Sequence, residues 1–336
     1  MIIVVDSGRS FVKSLSVSKE KTFQPKIYQS AMAELPGNDF NLTIKSYPDD
    51  IWVKYENQNI LLGGLAVRQR PDSAIQDRNP DKTNRQNKIQ IVTACSLHTG
   101  KTDEVTLLTN CPARDWKKQK AIIENYFRGY HKIEHRAGDM AGKTTEFFIE
   151  RCHALPEGEI AYYGYCYDTN LKEKHTEVLS ANTLVLDIGD ETINYISMNP
   201  GGEPYDAGSG SLNLGMHAAF SELQNWLEQN GVETTQAALL DKIIVSAPIM
   251  RGNRALEYRE ELGECYKRLE LEIYNQLNSR LKFSKYQYLI VCGGGSVPLK
   301  NLLRNRYERL LNVICEPGAQ MYNCYGAYVL YQLNRG

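Results

Sequence analysis

One pattern occurs twice, about half a chain apart: a short apolar run that ends in Asp-x-Gly. Ile2 to Val5 leads into Asp6-Ser7-Gly8-Arg9-Ser10-Phe11-Val12-Lys13, and Leu184 to Leu186 leads into Asp187-Ile188-Gly189-Asp190-Glu191-Thr192. A third run, Leu289 to Val291, ends in Cys292-Gly293-Gly294-Gly295. Each reads as a strand that breaks into a tight, glycine-bearing turn. Like turns in the two halves predict two similar lobes facing each other, each presenting a loop that can grip phosphate. That is the layout of a nucleotide cleft.

The bulk numbers agree with two lobes. A chain of 336 residues exceeds one ordinary core. Hydrophobic residues at 42% and charged residues at 24% are ordinary for a globular protein. No apolar run approaches the roughly 18 residues a membrane span needs. The chain opens on a strand-like run without a basic flank or cleavage site, so no signal peptide is expected. The expectation is a soluble cytosolic protein. A net charge of −1 gives no overall attraction to nucleic acid. The eight cysteines (Cys95, Cys111, Cys152, Cys166, Cys265, Cys292, Cys315, Cys324) form no C-x-x-C pair, which predicts buried thiols without disulfides or zinc.

Ile2 to Val5 with Phe11 to Val17, and Ile51 to Tyr55 with Asn59 to Leu62, read as hairpins. Gln69 to Asn87 reads as a polar surface loop, Lys88 to Ser96 as helix or buried strand, Val105 to Leu108 as strand, and Asp115 to Arg128 as helix. In the second half, Leu184 to Asp187 and Ile193 to Met198 are strand signals. Ser211 to Asn230 reads as an amphipathic helix and Arg254 to Leu281 as a long one. Tyr288 to Cys292 is a strand, followed by a helix to about Leu310, a strand Asn312 to Cys315 and a last helix from about Met321. The likeness between the two Asp-x-Gly hairpins suggests duplicated α/β lobes.

A triphosphate needs backbone N–H groups pointing into a concavity, and a turn with glycine supplies them without an obstructing side chain. Gly8 and Gly189 fit that need. Lys13, seven residues after Asp6, returns on the second hairpin strand to place a positive charge on the phosphates. Asp6 and Asp187 suit Mg²⁺ held through its water shell, because that ion gives up water reluctantly. A single Asp-x-Gly is best read as a hairpin turn. Two in order, with the lysine and a later Gly-Gly-Gly, favour a site. Gly293-Gly294-Gly295 before Ser296 suits a flat ring such as adenine lying against bare backbone.

With these residues in place, the chain resembles the actin-like ATPases, particularly the ParM-type plasmid-segregation actins and the bacterial and archaeal actin-like proteins close to them. Asp6 to Lys13 is similar to their first phosphate loop, Asp187 to Thr192 to the second, and Cys292 to Ser296 to the adenosine loop. Leu62-Gly63-Gly64-Leu65-Ala66 is similar to a hairpin end of the same subgroup. So is Leu108 to Trp116 followed by Gly129-Tyr130-His131-Lys132-Ile133. Asn110-Cys111 stands where the family has Gly-Leu before Pro112, and Arg9 and Phe11 are bulkier than usual. Those two either meet the nucleotide or point outward.

Leu155-Pro156-Glu157-Gly158-Glu159-Ile160-Ala161-Tyr162 resembles the segment whose glutamate positions the attacking water. The resemblance therefore implies Glu157 as the catalytic residue, with Glu159 as rival. Without it, Glu157 reads as an exposed loop acid after a proline. The nucleotide site implied is Asp6, Ser7, Gly8, Arg9, Ser10, Phe11, Lys13, Asp187, Gly189, Asp190, Glu191, Gly293, Gly294, Gly295 and Ser296, with Mg²⁺ at Asp6 and Asp187.

Other signals are discounted. Gly138 to Thr144 has three spacer residues where a P-loop has four, and in Thr99-Gly100-Lys101-Thr102 Cys95 replaces the first glycine. Gly208, Gly210 and Gly215 miss the dinucleotide spacing. His131 and His135, four apart, fall on a strand and not on a zinc-binding helix.

The resemblance implies an α/β, actin-like (ribonuclease H-like) duplicated fold, with lobes at 1–176 and 177–336, each on a mixed five-stranded sheet. The last helix returns to the first lobe, and the nucleotide cleft lies between lobes. It implies ATP (or GTP) hydrolysis with Mg²⁺ and head-to-tail self-assembly into a filament that segregates plasmid DNA. DNA is reached through a separate DNA-binding adaptor protein, with no direct nucleic-acid or membrane contact. The alternative is a non-polymerising ATPase or small-molecule kinase of the same fold.

Overall fold

The computed structural model describes residues 1–18, 20–36, 47–76, 81–111 and 116–335. The chain forms two compact units, each discontinuous in sequence. One is Met1–Thr109 with Lys118–Ala154 and Ala237–Val245; the other is Asn110–Lys117 with Leu155–Gln236 and Ser246–Gly336.

The first half opens with the hairpin β1 (Ile2–Ser7) and β2 (Phe11–Val17), then β3 (Phe23–Gln29), β4 (Met32–Leu35), β5 (Ile51–Tyr55) and β6 (Gln58–Leu62). Helices α1 (Gly64–Gln69) and α2 (Arg85–Ser96) follow, then β7 (Lys101–Cys111), α3 (Trp116–Tyr126), β8 (Gly129–His135) and β9 (Thr144–Pro156). These strands form one sheet in the order β3-β2-β1-β7-β9-β8-β5-β6-β4. β1 is buried from Ile3 to Ser7, which accounts for its unbroken apolar run rather than an alternating one. It pairs antiparallel with β2 and parallel with β7.

The helix-or-strand segment after Lys88 is helix. It begins earlier than expected because Asn84 caps it: the Asn84 side chain accepts from the Asn87 N–H at 2.9 Å. The expected loop from Gln69 to Asn87 is thus shortened at both ends, with residues 77–80 outside the described residues. Asp115, the expected start of α3, and residues 112–114 also lie outside them.

The second half contains α4 (Glu159–Cys166), α5 (Thr176–Leu179), β10 (Thr183–Ile188), β11 (Ile193–Asn199), β12 (Glu203–Leu212), α6 (Met216–Gln229) and α7 (Gln236–Ile244). It continues with β13 (Ile249–Arg251), β14 (Arg254–Leu256), α8 (Arg259–Asn278), β15 (Tyr288–Cys292), α9 (Ser296–Tyr307), β16 (Asn312–Ile314) and α10 (Tyr322–Leu333). Its sheet has the order β12-β11-β10-β15-β16. Here β10 pairs antiparallel with β11 and parallel with β15, as β1 does with β2 and β7.

The duplication is therefore visible in topology. A five-strand order heads both sheets, but in the first half four further strands, β8-β5-β6-β4, extend it to nine. The expectation of five strands in each lobe is corrected there.

Two helix expectations are also corrected. Residues from Ser211 were read as helix, yet β12 runs to Leu212 and α6 starts at Met216. This edge strand has few apolar residues because its glycines seat neighbours from β11. The Ser197 hydroxyl donates to Gly208 O at 2.6 Å, and a Cβ on Gly210 would collide with the Tyr195 phenol. Likewise Arg254 to Leu256 pairs with β13, and the long helix starts at Arg259.

In the second unit α10 packs on α4 at a glycine crossing. A Cβ on Gly326 would overlap the Ile160 carbonyl, and one on Gly164 would overlap the Tyr322 carbonyl. Tyr162, Tyr165, Tyr322, Val185 and Ile290 share the core beside this crossing. All eight cysteines are buried, as expected.

Candidate functional site

In the first unit, β1 and β2 place Asp6 opposite Lys13 in register. The Lys13 ammonium donates to the Asp6 carboxylate at 2.9 Å, and both side chains are buried, so each charge compensates the other's lost hydration. The turn itself closes through the Gly8 N–H, which donates to Phe11 O at 3.1 Å. A Cβ at Gly8 would stand 2.8 Å from that same oxygen, so only glycine fits.

The second unit repeats this geometry at Asp187, which stands opposite Asn194 in the β10–β11 register. The Gly189 N–H donates to Thr192 O at 3.0 Å, and a Cβ at Gly189 would again stand 2.8 Å from it. Glycine is required by the same close approach in both turns. The residue opposite the aspartate differs, lysine in one and asparagine in the other. Lys13 thus supplies a cation that the second turn lacks at the equivalent register position.

In each turn four carbonyls are taken up by hydrogen bonds within the protein. In the first, Ser7 O accepts from Lys82 Nζ at 2.7 Å, Arg9 O from the Ser30 hydroxyl, Ser10 O from the Ser30 N–H at 2.9 Å, and Phe11 O from Gly8. In the second, Ile188 O accepts from the Gly295 N–H at 3.0 Å, Gly189 O from Met216 at 3.1 Å, Asp190 O from His217 at 2.8 Å, and Thr192 O from Gly189. A turn that receives an anion must keep carbonyl lone pairs away from it, and these hydrogen bonds hold four carbonyls of each turn in that way. Arg9, Ser10 and Phe11, like Gly189, Asp190 and Glu191, are half-buried at the turns.

The glycine-rich loop braces the second turn. Gly293 has φ +81°, and a Cβ there would run into the Asp187 carboxylate and the Ile188 backbone. Gly295 is pressed against the Ile188 side chain. Ser296 opens α9, its hydroxyl donating to Gly293 O at 2.7 Å. Gly294 faces open space, so the middle of the loop is the bare backbone against which a planar ring can lie.

Glu157 sits in a two-residue turn between β9 and α4, its N–H donating to Cys111 O at 3.0 Å. Next to it Gly158, φ +81°, donates its N–H to Asn323 Oδ1 at 3.3 Å. Asn323 Nδ2 in turn donates to the Asp187 carboxylate at 2.9 Å. One α10 side chain therefore ties the Glu157 turn to Asp187. Glu159, the rival, opens α4; its burial raises its carboxyl above the usual range, and the Asp206 carboxylate adds to this.

The structure thus brings Glu157, Asp187, Gly189, Asp190, Glu191, Gly293, Gly294, Gly295 and Ser296 together in one unit. Asp6, Ser7, Gly8, Arg9, Ser10, Phe11 and Lys13 come together in the other. Sequence reasoning missed Lys82, Asn87 and Asn323; at the α6 entrance Gly215 lies against the Asp190 carbonyl. The discounted histidines have structural partners: His131 Nδ1 lies 3.0 Å from the Tyr55 hydroxyl, and His135 Nε2 lies 3.4 Å from that of Thr145.

Two family models match the chain, one in each half of the sequence. Residues 5–159 match the family model for the actin like proteins N terminal domain, and residues 185–305 that for the C-terminal region of the archaeal actin homologue MreB-like. No curated protein matches the sequence significantly. Among solved structures, the archaeal actin homolog Ta0583 superposes with a TM-score of 0.77 at 16% identity, over 100% of this chain and 99% of its own. A 15-stranded ParM filament from Clostridium botulinum gives 0.77 at 18% identity over 99% of both chains. The actin-like protein Alp7A gives 0.74 at 17% identity over 99% of this chain and 96% of its own.

The chain is an actin-like protein with the two-lobe α/β fold of that class. Within the class it carries the fold of the ParM and Alp7A proteins.

Proposed function

We propose that this protein binds and hydrolyses ATP, or GTP in its place, and uses the hydrolysis to control its own head-to-tail assembly into filaments. The observation that carries this reading is the pair of equivalent turns in each of which four carbonyls are held by hydrogen bonds within the protein. Support also comes from relatives. Ta0583 has been solved in complex with ADP, at 17% identity and a TM-score of 0.74, and the Clostridium botulinum ParM as a filament.

In this reading each turn grips phosphate and the adenine lies on Gly294. Lys13 contributes a point charge to the phosphates. Asp6 and Asp187 offer hard carboxylate oxygens at equivalent register positions, which suits Mg²⁺. Among the described residues no group of three or more His, Cys, Asp or Glu side chains could enclose a metal, so the ion would keep most of its water. Bound there, Mg²⁺ would neutralise charge on the phosphate oxygens.

Glu157 orients a water toward the γ-phosphorus and takes its proton late, as the water oxygen bonds to phosphorus and the bond to the bridging oxygen breaks. Loss of the γ-phosphate removes part of what the turns grip and so shifts the conformational balance that subunit contacts read. The cellular task would be DNA or plasmid segregation in the cytoplasm through a DNA-binding adaptor. Among the described residues no helix is long and apolar enough to cross a membrane.

Sedimentation and phosphate release with ATP and Mg²⁺, at protein concentrations of tens of micromolar where weak contacts of about 6 to 7 kcal/mol associate, test this reading. Wild-type protein should pellet and release phosphate. Glu157→Ala should slow release by about 100-fold or more while leaving pelleting intact. Wild-type protein that stays monomeric with ATP removes the filament role, and an undiminished rate in Glu157→Ala moves the water-positioning role to Glu159.

A further inference from the structure

We infer that Lys82 is a positioning residue of the first phosphate turn, doing with its ammonium what the Gly295 backbone N–H does for the second. The inference rests on the nucleotide reading above. It concerns the peptide that joins the residue after the aspartate to the glycine. In the second turn this is the Ile188–Gly189 peptide: its carbonyl accepts from Gly295 N–H at 3.0 Å, and its N–H donates to Thr192 O at 3.0 Å. In the first it is the Ser7–Gly8 peptide. There the carbonyl accepts from Lys82 Nζ at 2.7 Å, and the N–H donates to Phe11 O at 3.1 Å. Both peptides are therefore pinned at both ends, which fixes the orientation of the turn before any ligand arrives.

Lys82 is itself held in place. The Ser7 hydroxyl donates to Asn87 Oδ1 at 2.5 Å, Asn87 Nδ2 donates to Lys82 O at 2.6 Å, and Lys82 Nζ donates back to Ser7 O. Three residues thus close a ring of three hydrogen bonds. Asn87 stands in the first turn of α2, and Asn84, its N-cap, donates from Nδ2 to Asp81 O at 2.7 Å. The ring ties the phosphate turn to the start of a long buried helix.

The two braces differ in charge. A backbone N–H contributes a dipole, whereas Lys82 places a full positive charge within hydrogen-bond distance of the turn. A hydrogen bond from a charged donor is stronger than a neutral one, and its field acts on any nearby anion. Loss of Lys82 should therefore weaken binding more for the ligand with more phosphate charge. A general loss of the fold would weaken ATP, ADP and adenosine alike.

Isothermal titration calorimetry with ATP, ADP and adenosine in the presence of Mg²⁺ tests this, using wild type, Lys82→Met and Lys82→Arg, each with its thermal midpoint. Lys82→Met should bind ATP about tenfold or more weakly, ADP less so, and adenosine unchanged, at an unaltered midpoint. Lys82→Arg should restore ATP affinity to within about threefold, since a guanidinium can also donate to the carbonyl. Equal ATP affinity in Lys82→Met and wild type overturns the inference. So does a loss that is the same for all three ligands or that follows a fall in midpoint. Wild-type protein that binds none of the three would refute the nucleotide reading itself, and this inference with it.

Discussion

Asp187→Ala is expected to remove Mg²⁺-dependent nucleotide binding, lowering affinity by about 100-fold, while Asp187→Asn should lose nearly as much. The comparison separates charge from packing. Asparagine keeps the size that Gly293 accommodates, because a Cβ at 293 would already meet the Asp187 carboxylate. It can also still offer an oxygen to Asn323 Nδ2, which now lies 2.9 Å from Asp187. What it lacks is the negative charge that a hydrated divalent ion requires. Alanine adds a second defect: Asn323 loses the carboxylate that fixes its amide, and with it the alignment of the Gly158 N–H. Titration of each variant with ATP, with and without Mg²⁺, reads both effects. Affinity that is independent of Mg²⁺ in wild type, or unchanged in the two variants, would remove Asp187 from the site.

The largest effect on stability should come from Gly326→Val. A Cβ on Gly326 would stand 1.5 Å from the Ile160 carbonyl oxygen, and one on the facing Gly164 would stand 2.2 Å from Tyr322 O. Backbone cannot yield as a flexible side chain does, so α4 and α10 must separate. Overpacking of a well-filled core typically costs about 1 to 3 kcal/mol, and a clash with backbone on both helices should exceed that. The midpoint of thermal unfolding should fall by roughly 10 °C or more. Gly263→Ala in α8 provides the control. A Cβ there meets nothing within 4 Å, and the better helix propensity of alanine should raise the midpoint slightly. A Gly326→Val protein that melts with wild type would mean the two helices are not in such contact.

The parts of the fold that could be read from sequence are those in which one local rule dominated. β1 and β10 are buried strands, so their apolar runs are continuous and end sharply at Asp-x-Gly. The turns followed from glycine chemistry, and their equivalence followed from the repeated spacing. β12 was illegible because its alternating Gly and Ser answer to Tyr195 and Ser197 on the neighbouring strand, not to any period of its own. The four strands that extend the first sheet lack any signal that they join it.

The site divides in the same way. Gly8, Gly189 and the Gly-Gly-Gly loop announced themselves because backbone geometry restricts the residue type. Lys82 and Asn323 did not, since their partners are a backbone carbonyl 75 residues away and a carboxylate 136 residues away. Polar residues of this kind are indistinguishable in sequence from surface ones. Only the tertiary fold assigns them.

The Asn323 bridge has a consequence for biosynthesis. The helix that bears it emerges from the ribosome after every other element of the site, so a nascent chain carries both halves of the sequence before it can align Asp187 with the Glu157 turn. Alignment of Asp187 with the Glu157 turn is therefore a late event of synthesis that waits for α10.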